Sequence, residues 1–428
     1  MINSLIKNLK QSNSFLSFTS LSALAQGIGF ILPLIIAKIL SPEGFGSYSL
    51  SMMIVFFFTT AIVSSSQTPF IVYSNEELKK NNKINKAFTA QLMMFLSSIL
   101  IFAFLLLAFS NPIAKFAQIS FNQLILLYFA FLGIGSRELF KNLFLALDKK
   151  IFNALYILIV GIINIIFLGI YHQLNFLNLN SIFIIYFLSP LISIIFLAHK
   201  IEFKKISSFS YDNEIFKRMI TWTTWQIFGL TAVYLINWGD NLILRYFVSL
   251  SEIGIYNLGY QIFKGLISLT FILNSYFLPY ITKNINNERK IQNYLYVKRP
   301  KIMLAGTFGI IIIFLLIPYV FGYIYGDIYK ESVTIVRILL IGAIIALYNV
   351  FYTPILNSLK MYKFYQISNI IHVLINILLN IIFIQIIGIY GAAVATVIAY
   401  FCKTVMFELY IYKKVQHYSI FSRLKKQI

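Results

Sequence analysis

The stretch Trp238-Gly-Asp-Asn-Leu-Ile-Leu-Arg-Tyr-Phe-Val-Ser-Leu-Ser-Glu-Ile-Gly-Ile-Tyr256 decides how the chain is read. It lies within Trp222 to Tyr260, where Asp240 and Arg245 interrupt a long apolar run. A polar, glycine-containing corner, Ser249 to Tyr256, then opens the next apolar run. Charge therefore sits where charge is expensive. The corner also repeats an earlier one: a shift of 208 positions carries Ser41, Gly46, Tyr48 and Leu50 onto Ser249, Gly254, Tyr256 and Leu258. Matching corners at the same place in two hydropathy-matched halves point to a duplicated membrane unit.

Composition agrees. Mean hydropathy is +0.81 and only 11% of residues are charged, against roughly a quarter in soluble proteins. A polytopic membrane protein needs such apolar length, because a helix takes about 20 residues to cross roughly 30 Å of hydrocarbon. The backbone must satisfy its own hydrogen bonds there, and the alternation of a membrane barrel is missing, so the expectation is an all-α integral membrane protein. The single cysteine, Cys402, excludes an internal disulfide framework and reads as a small apolar side chain in a helix. Lys7 and Lys10 followed by an apolar stretch resemble a signal peptide, but the apolar character runs on to Leu40, so this is read as a retained first span.

Twelve spans are expected: 15–40, 48–73, 87–109, 121–143, 151–171, 181–198, 220–248, 254–281, 302–325, 333–356, 364–388 and 391–412. Arg137, Glu138 and Lys141 crowd the end of the fourth. The implied organisation is an N-terminal six-helix lobe (1–200), a cytoplasmic linker (201–219), a C-terminal six-helix lobe (220–412) and a basic tail (413–428) on anionic headgroups. Both halves begin on the same side, so the repeat is parallel. With the N-terminus inside, 28 of the 35 Lys and Arg residues fall in inner segments, which places both termini in the cytoplasm. The net charge of +21 is a topology signal of short loops and not a nucleic-acid face.

No catalytic pattern stands out. The four aspartates are far apart, the four histidines lack ligand spacing, and neither a GxSxG nor a Walker loop is present. The expectation is a non-enzyme without metal or cofactor. The intramembrane charges carry the functional signal, each costing about 2.5–3.5 kcal/mol at a helix centre. Lys264 and Lys403 lie deepest; Lys38, Arg245 and Arg337 lie nearer span ends, where they can snorkel. Cations lead anions, which suits a negatively charged ligand such as a diphosphate. Asp240 is read either as charge balance or as an ion-coupling carboxylate. Glu408 reads as interfacial and His372 as an interior histidine. The amides Asn237, Asn241, Asn376 and Asn380 are read as glycan contacts or as helix–helix hydrogen bonds.

Three segments carry a family resemblance. Pro33-Leu-Ile-Ile-Ala-Lys-Ile-Leu-Ser-Pro-Glu-Gly-Phe-Gly-Ser-Tyr48 resembles a first span and its corner. Asp240-Asn-Leu-Ile-Leu-Arg-Tyr-Phe-Val with Ile253-Gly-Ile-Tyr256 resembles a seventh span and corner. Asn376-Ile-Leu-Leu-Asn-Ile-Ile-Phe-Ile384 with Gly388-Ile-Tyr-Gly-Ala-Ala-Val-Ala-Thr396 is similar to an eleventh and twelfth. In order and spacing they resemble the Wzx-type O-antigen and polysaccharide flippases of the multidrug/oligosaccharidyl-lipid/polysaccharide exporter superfamily. The resemblance implies two six-helix lobes around a central cavity, in a bacterial inner membrane. It implies a proton or sodium gradient as energy source and an undecaprenyl-diphosphate-linked glycan as cargo, with polysaccharide polymerase and chain-length proteins as partners. In that frame Lys264 and Lys403 hold the diphosphate, Arg245, Arg337 and Lys38 guide it, and Asp240 balances charge or couples the ion. The alternatives are a drug or metabolite antiporter of the same superfamily, and a membrane polysaccharide polymerase or ligase.

Overall fold

A computed structural model describes residues 2–414, so all but the first two residues of the expected basic tail lie outside the described residues. Among the described residues, twelve helices are long and apolar enough to span a membrane. They are α1 Phe18–Ile39, α2 Pro42–Asn81, α3 Asn85–Ala108, α4 Phe121–Ala146, α5 Lys150–Gln173, α6 Leu179–Lys200, α7 Asn213–Phe247, α8 Leu250–Asn284, α9 Glu288–Tyr325, α10 Asp327–Ser358, α11 Lys363–Ile387 and α12 Ile389–Lys413. The charged end of the fourth span does not interrupt it: α4 continues to Ala146. Within α2, Thr59–Ser64 form a π-helical turn. No strand occurs among the described residues.

The repeated corners are repeated helix starts. At the second, the Ser249 hydroxyl accepts from Glu252 N (3.3 Å) while the Glu252 carboxylate accepts from Ser249 N (2.9 Å), a reciprocal cap that satisfies two otherwise orphan donors. At the first, the Ser41 hydroxyl accepts from Gly44 N at 3.1 Å, with Pro42 supplying a preset φ at the first helical position. The described chain divides into two units. The first holds residues through Leu40 and Ser47–Thr231; the second holds Ser41–Gly46 and residues from Ala232 onward.

Within the second unit the two corners meet. A Cβ on Gly46 would fall 2.1 Å from Leu250 O, and one on Gly254 would fall 1.9 Å from Pro42 O. Glycine is required at both positions because carbonyl oxygens occupy the space of any side chain.

In the first unit the segment between α6 and α7 is docked. Glu77 accepts from the backbone N of Lys86 (3.0 Å) and of Ala87 (3.1 Å), so its carboxylate caps the start of α3. Ile84 N then donates to Lys205 O (2.9 Å), Asn85 Nδ2 to Ser208 Oγ (2.9 Å) and Ser210 N to Thr89 Oγ1 (3.0 Å). Lys86 pairs with Asp212 at 2.8 Å, and Glu202 pairs with Lys149 (2.8 Å) and Lys205 (2.6 Å). The lysine hydrogen bonds hold both carboxyls, Asp212 and Glu202, below the usual range.

Two outcomes follow. Gly254→Ala should destabilise the protein by about 1–3 kcal/mol through overpacking. Gly229→Ala, whose Cβ meets nothing within 4 Å, should be neutral or mildly stabilising; thermal unfolding compares them. Because the folded pKa values of Asp212 and Glu202 are depressed, their contribution is present above the ordinary carboxyl pKa near ~4 and lost as pH falls through the folded values. Hydrogen exchange over residues 200–212 should therefore accelerate on acidification below about pH 4.

Candidate functional site

The second unit encloses one carboxylate in neutral donors. Asp240, on α7, is 4% exposed. Its Oδ2 accepts from Tyr256 OH and from Thr396 Oγ1 (3.1 Å), and its Oδ1 accepts from Asn380 Nδ2 (2.7 Å). Asn380 also donates to Asn376 Oδ1 (3.0 Å), which in turn donates through Nδ2 to Thr396 Oγ1 (3.4 Å). Helices α7, α8, α11 and α12 thus each contribute a side chain. Burying an ion costs several kcal/mol; hydrogen bonds to a charged acceptor, individually stronger than neutral ones, offset part of that cost. One carboxylate with hydroxyl and amide oxygens nearby suits a proton or a monovalent cation; no cluster of three His, Cys, Asp or Glu occurs among the described residues.

The sequence placed Asn376 and Asn380 on one helical face, and the structure turns that face onto Asp240. Asn241 is also buried, in a reciprocal amide pair with Asn257 (2.7 and 3.2 Å) that closes α7 onto α8. Asn237 instead donates to Val233 O of its own helix (2.8 Å).

Two cations sit on neutral partners. Lys264 Nζ lies 3.7 Å from the centre of the Trp238 ring and 5.0 Å from that of Tyr260. Tyr256, Tyr260 and Lys264 follow at intervals of four on α8, so one face carries both the tyrosine on Asp240 and the lysine. The Tyr256 and Tyr260 rings stack at 5.6 Å, and Tyr260 OH donates to Ile236 O (3.1 Å). Lys403 donates to Asn369 Oδ1 at 2.7 Å and lies 5.6 Å from the rings of Tyr365 and Phe407.

The other expected cations are placed elsewhere. Arg337 lies over the Phe314 ring at 4.7 Å, Arg245 follows Asp240 by five residues toward the end of α7, and Lys38 is exposed in the first unit. Glu408, read as interfacial, is 6% exposed and accepts from Tyr348 and Tyr352, whose rings face the Arg299 guanidinium at 4.5 and 5.1 Å. In the first unit, Glu138 is neutralised by Arg137 and Lys141 on its own helix. Sequence reasoning missed Tyr256, Thr396, Trp238 and Asn369. The tyrosine–lysine spacing on α8 was available as a signal; the partners on other helices were not.

Three solved structures share this multi-pass helical fold. The inward closed conformation of the lipid II flippase MurJ superposes with TM-score 0.74 at 16% identity, covering 95% of this chain and 90% of that one. An inward-facing multidrug resistance MATE family transporter of the MOP superfamily gives 0.73 at 14% identity over 95% of each chain. An outward-facing MATE transporter gives 0.63 at 15% identity, over 96% and 94%. Residues 13–285 match the family described as polysaccharide biosynthesis protein, and the chain belongs to that family. No curated protein matches.

Removing the Tyr256 hydroxyl should show how the carboxylate is held. Tyr256→Phe should cost about 1.5–3 kcal/mol, the range for a hydrogen bond to a charged group. In Asp240→Asn the same change should cost under half as much. Strictly additive losses in thermal unfolding would sink the coupling.

Proposed function

We propose that the chain is a flippase that carries an undecaprenyl-diphosphate-linked oligosaccharide from the inner to the outer leaflet of a bacterial inner membrane, by ion-coupled alternating access. The observation that carries this reading is the pair of ammonium groups inside the second unit that rest on neutral partners: Lys264 on the Trp238 and Tyr260 rings, Lys403 on the Asn369 amide. A cation held by rings or an amide leaves a visiting anion free to pair with it, whereas one locked to an acid does not. A diphosphate supplies the matching charge, and membership of the polysaccharide family supports a glycan as the rest of the cargo. The lipid II flippase that shares the fold supports a lipid-borne carrier.

In this reading Arg245, Arg337 and Lys38 guide the diphosphate, Asp240 couples movement to a proton or sodium gradient, and Asn237 lines the glycan's path, while Asn241 serves helix packing through Asn257. Both termini face the cytoplasm, the lobes are 1–200 and 220–412 joined by the linker 201–219, and polymerase and chain-length proteins receive the product. A drug antiporter of the same superfamily would favour accessible carboxylates for organic cations. Here the buried Asp240 is instead enclosed by Tyr256, Asn380 and Thr396.

The test is complementation in a host that lacks its own flippase and makes the lipid-linked repeat. Alanine at both Lys264 and Lys403, at normal protein levels, should abolish surface glycan. Wild-type surface glycan from the double variant would overturn the assignment. Asp240→Asn should reduce export at least tenfold.

A further inference from the structure

α11 is apolar, with mean hydropathy 2.5, yet it carries Asn369, His372, Asn376 and Asn380. Their spacings of three, four and four put all of them on one face, over roughly 16 Å of helix. α12 answers rung for rung: Thr396 meets Asn376 (3.4 Å), Tyr400 meets His372 edge to face (4.7 Å between ring centres), and Lys403 meets Asn369 (2.7 Å). α10 closes the third side, where Asn349 donates to Tyr400 O (3.4 Å). The top of this seam is Asp240, through Asn380 and Thr396. Its bottom is Lys403, with Glu408 a little over one turn further along α12.

Ordinary helix–helix adhesion closes its pairs, as Asn241 and Asn257 do. The seam does not. Asn380 Oδ1, His372 Nδ1 and Asn349 Oδ1 are buried and have no hydrogen-bond partner in the protein. These residues are 0%, 3% and 6% exposed; the two amide oxygens are acceptors, and so is His372 Nδ1 when Nε2 carries the ring proton. Each asks for a donor, which neighbouring methyl and methylene groups cannot provide. Water is the small donor that fits a polar space of this kind, provided it finds two to four partners.

We infer that the seam between α10, α11 and α12 binds a file of water molecules from Asp240 to Lys403, and that this file is the route by which Asp240 exchanges its coupling ion with the lysine-rich side of the bundle. The water file stands on the unpartnered acceptors; its role as an exchange route rests on the reading of Asp240 as the coupling group. The file gives the ion a path inside one unit that meets the proposed cargo site at Lys403. The groups facing His372 are Tyr400 and Lys403 from α12, with Asn369 and Asn376 on its own helix.

Radiolytic hydroxyl-radical labelling of the full chain in lipid nanodiscs tests the file, because radicals form on bound water as well as in bulk. His372 should be oxidised at least tenfold faster, after correction for intrinsic reactivity, than Tyr156 and Tyr294, which are equally buried and donate to carbonyls. Asn349→Leu should bring His372 down to the rate of those tyrosines and slow ion-driven export. A wild-type His372 as protected as Tyr156 overturns the water file, even where Asp240→Asn abolishes export and the coupling reading stands. A labelled His372 with full export from Asp240→Asn overturns the exchange role and the coupling reading, and leaves only the hydrated seam.

Discussion

A carboxylate inside an apolar bundle, surrounded by neutral donors, sets the terms for the second half of the chain. Asp240 can remain buried only while a tyrosine, an asparagine and a threonine from three other helices reach it together. That requirement fixes the rotation and depth of α7, α8, α11 and α12 at once. Apolar contacts among leucines and isoleucines tolerate sliding in a way that these hydrogen bonds do not. The same four helices carry Lys264 and Lys403, so the side chain that holds the bundle in register also sets where the two cations lie.

The two halves share a scaffold and differ in electrostatics. The first closes its buried charge locally, with Glu138 between Arg137 and Lys141 on one helix. The second leaves its cations on rings and amides. On the proposed reading the diphosphate is held in the second unit. One end of the second unit has its own closed group, Arg299 with Tyr348, Tyr352 and Glu408.

The architecture was legible because membrane insertion writes itself into local composition: twelve apolar runs, short loops and lysine placement are properties of neighbouring residues. The duplicated corner was legible for the same reason, since the Ser249–Glu252 cap is local. Asp240 announced itself through its cost. Its partners did not, because Asn380 and Thr396 lie 140 and 156 residues away, and nothing in one sequence says which of many polar residues meet across helices. The linker's attachments were hidden for a related reason. Its serines and lysines name no partner, and only the distant Asn85, Lys86 and Thr89 show that it is docked.

That docking has a bearing on how the chain is made. The long-range partners that anchor residues 200–212, Ile84, Asn85, Lys86, Thr89 and Lys149, all precede α7, so the first six helices can complete their lysine-rich face before the seventh is synthesised. The second half then emerges from the translocon with the first already closed, and its hydrogen-bonded register is searched for by its own helices rather than by twelve at once.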